Sequence, residues 1–268
     1  MKKALLFLSI FLLLSCDKNG PTEFGFVLTD VSFVAGKHYT YAWTFETRDS
    51  LGNLLSVLHD TIAVVVETKD DIIDTLVGLT RLRAYSLVDS IGSTIVWYRN
   101  NQSSCSEVAY SGAGHVPPVS PRKSSISDQA TMNRSLILFL PMTLQQMLPG
   151  MFQFQTDSTI IRQDPRVVYM YPMSQGDSWT SFTSPFLQTR EVVGSESIQT
   201  GVGSRYCAKI KTASPMFAGS IEWFDYVDEQ GLMLRSLTME MLASGPEGPE
   251  PTGMITVLER AELLSITQ

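Results

Sequence analysis

"YTYAWTFETR", Tyr39 to Arg48, decides how this chain folds. Tyr39, Tyr41, Trp43 and Phe45 alternate with Thr40, Ala42, Thr44 and Glu46. A period of two places the rings on one face of a strand and the small or polar residues on the other. Aromatic and β-branched residues also suit a pleated, half-buried surface. The stretch reads as a strand with one face in a core.

The same pattern continues outward. Asp49 to Asn53 supplies a turn, and "SVLHDTIAVVVET" follows as a long strand. Further strands are expected at 80–88, 94–99, 136–140, 167–171, 179–182, 190–193 and 205–211. "SIEWFDYVDEQGLMLRSLTMEM" reads as a hairpin turning at Asp228-Glu229-Gln230-Gly231, and "GMITVLERAELLSI" as a closing strand. Helix signals are scarce. "TLQQMLPG" has Thr143 as a cap, Gln146 three residues later and Pro149-Gly150 as a stop, which predicts one short helix. The expected fold is all-β and mainly antiparallel, a long curved sheet or sheets with that helix.

"AGKHYTYAWTF" and "QGDSWTSFTSPF" share a glycine, two residues, an aromatic, a threonine and a later aromatic. Each precedes a valine-rich strand, "IAVVVET" or "REVVGSE", and later a tryptophan strand, "STIVWYRN" or "SIEWFDYV". This predicts two related half-barrel or sandwich-like units, 26–115 and 165–268. A connection over 116–164, rich in Gly, Pro and Ser at its start, joins them.

The chain opens "MKKALLFLSIFLLLSCDKNG". Two lysines before an apolar run from Ala4 to Leu14 have the layout of an export signal. As a helix the run is about 16 Å long, roughly half a bilayer core. Leu13-Leu14-Ser15-Cys16 resembles the lipobox of bacterial lipoproteins. The resemblance implies cleavage after residue 15, a diacylglycerol on the Cys16 thiol, and attachment to a membrane of the bacterial cell envelope. Residues 16–25 then form a lipidated tether. Loss of residues 1–15 removes Lys2 and Lys3 and leaves 18 basic against 27 acidic residues, a formal charge of −9. That balance argues against nucleic acid and anionic lipid surfaces as partners.

Cys105 and Cys207 remain. An exported protein permits a disulfide between them, closing a loop of about 100 residues; two buried free thiols are the alternative.

Chemistry is thinly represented. "GDS" at 176–178 invites a serine nucleophile, yet no histidine follows His115 to act as its base, and Gly-x-Ser-x-Gly is missing. The segment reads as a turn into a strand. His38, His59 and His115 are isolated and no Cys-x-x-Cys occurs, so no metal or cofactor is expected. Glu222 and Asp225 fall on opposite faces of a strand, which removes a glycosidase pair. "YPMSQGDSWTSF" with "SIEWFDYVDEQGLMLRSL" resembles β-rich cell-envelope lipoproteins, in which a Gly-x-x-Trp strand precedes an aromatic hairpin. That likeness implies fold and location and no activity.

The functional expectation is a non-enzymatic binding or scaffold module, partnered by envelope proteins. The alternative is a carrier or sensor of a hydrophobic small molecule. Its lining would be Tyr39, Tyr41, Trp43, Phe45, Trp97, Trp179 and Trp223, residues that serve equally well as a plain core. A filled interior separates the first reading from the second.

Overall fold

The structure, a computed structural model, describes residues 25–70, 76–87, 93–112, 159–183, 187–216, 219–244 and 251–268. Its strands are β1 (His38–Asp49), β2 (Leu54–Asp70), β3 (Leu79–Ser86), β4 (Ser93–Asn100), β5 (Ser104–Gly112) and β6 (Ile160–Met170). They continue with β7 (Ser178–Phe182), β8 (Gln188–Thr200), β9 (Gly203–Met216), β10 (Gly219–Asp228), β11 (Gly231–Ser244) and β12 (Pro251–Thr267). No helix occurs among the described residues. The expected helix near 143–150, the strand at 136–140, and the chain through residue 24 lie outside them.

All twelve strands form one antiparallel sheet in the order β6-β5-β4-β3-β2-β1-β12-β11-β10-β9-β8-β7. β1 sits at its centre, paired with β2 on one side and with β12 over its whole length on the other. Tyr39, Tyr41, Trp43, Phe45 and Thr47 are buried, while the residues between them are half-buried. Each such buried aromatic contributes on the order of 2–3 kcal/mol through the apolar area it removes from water.

β5 has no counterpart among the expected strands. Its inward positions include Cys105 and Glu107, and bulges fall beside both. A buried carboxylate and a broken alternation erase the period-two signal there.

The edge strands β6 and β7 are consecutive in the chain, and the sheet curls until they face each other, a nearly closed barrel. Side chains make the seam. Trp179 Nε1 (3.2 Å) and Ser181 Oγ (2.7 Å) both donate to Val167 O, and Thr183 Oγ1 donates to Asp164 Oδ2 at 2.7 Å. β6 carries Pro165, which has no N–H to offer a ladder, as suits an edge.

The turn before β1 recurs before β7. Gly36 (φ +86°) donates its N–H to Val66 O at 2.8 Å, Lys37 donates to Val34 O, and Val66 N donates to Lys37 O. Gly176 (φ +92°) donates to Val192 O at 2.8 Å, Asp177 donates to Ser174 O, and Val192 N donates to Asp177 O. Both turns need a left-handed residue, which glycine supplies without steric cost. In the sheet order β1 to β6 and β7 to β12 run as two six-strand meanders, so residues 165–170, expected in the second unit, belong to β6 of the first. One junction between them, β1 with β12, is paired through the backbone; the other, β6 with β7, is the side-chain seam.

Candidate functional site

The barrel interior holds charge. Asp225 on β10 faces Arg235 on β11 and accepts from its Nε (2.5 Å) and Nη2 (2.8 Å). Arg190 on β8 reaches the same carboxylate, donates to Thr212 Oγ1 at 3.0 Å, and crosses the seam to Val168 O at 2.5 Å. All three side chains are 1% exposed. Burial pushes the Asp225 carboxyl up, but Arg235 and then Arg190 outweigh it and hold it below the usual carboxylate range.

A second cluster lies across the seam. Glu107 on β5 accepts from Arg162 Nε at 2.6 Å and faces Arg166, whose Nη2 donates to Gln188 Oε1 at 2.9 Å. Burial lowers the Arg166 guanidinium to about 9, opposed by Glu107, so it stays cationic at neutral pH. The Arg162 guanidinium lies 4.6 Å from the Tyr110 ring and 5.1 Å from that of Phe182. On the far wall Trp43 Nε1 donates to Glu259 at 3.1 Å, and Ser86 donates to Asp60 at 2.8 Å. Every one of these contacts joins different strands, so the network fixes register and closure.

One end of the barrel is plugged by the segment from Phe26 to Val34. Leu28 exchanges backbone bonds with Met173 (3.0 and 2.8 Å), Ser32 N donates to Glu229 O at 2.8 Å, and Val31 N donates to the Tyr171 hydroxyl at 3.2 Å. Asn100 Nδ2 donates to Val31 O at 2.9 Å. These partners follow β6, end β4 and turn between β10 and β11, so the plug spans the opening. Val31 and Leu28 are buried, and the Phe33 ring stacks on Tyr98 at 5.6 Å. Beneath the plug lies a cavity of about 20 Å³, lined by Phe33, Tyr39, Tyr41 and Tyr169 among others. That is room for one water. The Tyr39 hydroxyl has no hydrogen-bond partner among the described residues.

The hairpin of β8 and β9 closes this end further. Gly201 N donates to Leu263 O at 3.0 Å, beside the bulge in β12.

Of the residues expected to line a ligand site, Tyr39 and Tyr41 border that cavity, and Trp43, Phe45 and Trp179 lie in the packed core. Trp223 faces inward from β10, paired with Leu237 and Thr212. Trp97 is not with them. It shares the outer face of its sheet region with Leu79, Val108 and Ala109, under the Arg81 guanidinium at 5.6 Å. Trp97 and Trp223 occupy the fourth strand of each meander but opposite faces, a one-residue offset.

Cys105 and Cys207 are free thiols, both buried, on strands that are not neighbours in the sheet. Burial pushes both thiols up, Cys207 to about 12. Cys16 lies outside the described residues.

Gly176-Asp177-Ser178 forms the turn into β7, with Asp177 Oδ2 accepting from Ser174 N at 2.7 Å. His38 and His59 sit on β1 and β2, far around the sheet from Ser178; His115 lies outside the described residues. Glu222 is exposed and paired with Lys211, whereas Asp225 is buried. Among the described residues no group of three His, Cys, Asp or Glu side chains could hold a metal ion.

No family model and no curated protein matches the chain. Among solved structures it is similar to a protein from Bacteroides fragilis described as exported and of YmcC-like fold, at 12% identity, covering 91% of this chain and 100% of that one, with a TM-score of 0.42. It is also similar to a protein from Parabacteroides distasonis described as a lipoprotein, at 14% identity, covering 90% and 99%, with a TM-score of 0.29. Likeness at this level bears on neither ligand nor partner.

Proposed function

We propose that this chain is a lipid-anchored protein of the bacterial cell envelope whose barrel is a packed, non-enzymatic binding or scaffold module. One observation carries the second half of that reading. Among the described residues the barrel's middle is occupied by ion-paired and aromatic side chains, and the cavity under the plug is about 20 Å³. Pockets that enclose a small molecule run to several hundred Å³. The aromatic face expected to cradle an acyl chain is spent on the core, with Trp43 and Trp223 at 1% and 0% exposure. The anchor rests on Leu13-Leu14-Ser15-Cys16 behind the apolar run. Partners are then other envelope components, met on the outer surface of the barrel.

The test uses the full chain produced in a bacterial envelope, beside a Cys16→Ala variant. Wild type should carry a diacylglyceryl mass increment and sediment with membranes; the variant should lose both. Sustained turnover of an envelope glycan, peptide or ester by the pure protein would overturn the non-enzymatic part.

A further inference from the structure

The topology brings six exposed apolar side chains to the plugged end. Val27 and Val34 belong to the plug, and Val77 to the connection between β2 and β3. Met170 closes β6, Tyr206 lies near the start of β9, and Leu264 near the end of β12. Tyr206 also touches the plug, its ring 5.3 Å from Phe26.

The chain between Cys16 and this end is short. Nine residues lie between Cys16 and Phe26, so ten Cα-to-Cα steps join them. Fully extended they span at most about 35 Å, and as a flexible coil about 16–19 Å on average. The twelve residues of β1 run about 40 Å along the strand, or roughly 30 Å along the axis of a barrel tilted in the usual range. A lipid on Cys16 therefore holds the plugged end near the bilayer and leaves the opposite rim beyond the tether's average reach.

We propose that the plugged end docks on the membrane that holds the Cys16 lipid, with these apolar side chains resting at headgroup level. The proposal rests on the lipid-anchor reading above. Among the described residues the charges beside the patch are mixed, with Asp30, Asp177 and Glu229 against Lys37 and Arg99, and they offer no cationic surface to anionic lipid. The surface suits a zwitterionic phospholipid bilayer. A contact too weak to hold alone is sustained by the tether, which keeps the local lipid concentration high. The opposite rim has exposed leucines of its own, Leu51, Leu54 and Leu55 in and after the turn between β1 and β2, so the tether decides between the two faces.

The experiment uses the lipidated full protein in phosphatidylcholine vesicles that contain a nitroxide-labelled phospholipid. A fluorophore is attached at Val34→Cys, Val77→Cys or Leu55→Cys; Cys105 and Cys207 are buried and leave the new thiol to react. Quenching at 34 and 77 with none at 55 is the expected result. In the Val34→Cys protein, adding Val27→Asp should remove the quenching without moving the melting temperature. Quenching at 55 instead, or at no position, overturns the proposal. Intact mass separates the two ways to fail. If the diacylglyceryl group is present and the quenching pattern is wrong, the anchor stands and the docking face does not. If the group is missing, the anchor reading falls and takes this proposal with it.

Discussion

Replacing Asp225 with alanine removes a carboxylate that lies between two buried guanidiniums. Arg190 and Arg235 are each 1% exposed, and Arg190 is left with Thr212 Oγ1 and Val168 O, neither of which carries a charge. Deleting one partner of a buried pair typically costs about 3–5 kcal/mol, because the charge left behind has lost its hydration without compensation. Against a total stability of about 5–15 kcal/mol this is a large fraction. Urea unfolding of the cleaved protein, followed by tryptophan fluorescence, reads it directly. With an m-value of about 2–3 kcal/mol/M the midpoint should fall by about 1–2.5 M. Asp225→Asn keeps the shape and removes the charge, so it should lose nearly as much. The pH dependence has a definite sign. The folded carboxyl lies below its unfolded value, so its contribution is complete at neutral pH and disappears as pH falls through the folded value. The gap between wild type and Asp225→Asn should therefore narrow below about pH 4. A loss under about 1 kcal/mol, or a gap that widens in acid, would refute the claim that this carboxylate holds the wall together.

Gly201→Ala should destabilise by about 1–3 kcal/mol in a thermal melt, since a Cβ there would meet Leu264 O at 2.4 Å and backbone must move. Gly36→Ala and Gly176→Ala have open space around the new Cβ and carry only the cost of a left-handed residue, about 1–2 kcal/mol each. Their losses should agree, because the two turns share one hydrogen-bond pattern; a large inequality would count against the equivalence of the two meanders. Neither Cys105 nor Cys207 should react with a disulfide reagent at pH 8 in the native state, and both should react on unfolding, as burial holds the Cys207 thiol at about 12 and raises that of Cys105 as well.

The fold was legible wherever one face of a strand is apolar. β1 is the clearest case, and the hairpin turning at Asp228 to Gly231 follows from Gly231, whose φ of +118° only glycine adopts easily, and from Asp228 Oδ1, which accepts from Gln230 N at 2.7 Å. β5 was hidden because Glu107 points inward and bulges break the alternation. The end of β8, "SESIQT", was hidden because it is polar and lies beyond the valines that marked the strand. The charged interior could not be read at all. Arg190, Asp225 and Arg235 look like surface residues in a sequence, and the partners of the two arginines' shared carboxylate are 35 and 10 positions away. Glu107 and Arg162 are 55 apart. The likeness of the turns at Gly36 and Gly176 was visible as spacing, but Trp97 and Trp223 misled. Both mark the fourth strand of a meander, and only the register, set by long-range pairing, sends one outward and the other in.

The most direct test of the account is the native mass of the protein purified gently from a bacterial envelope, followed by organic extraction. A packed barrel predicts the polypeptide mass from Cys16 onward plus its covalent lipid, with no further apolar molecule released. A stoichiometric non-covalent lipid in the extract would contradict it and place the function inside the barrel.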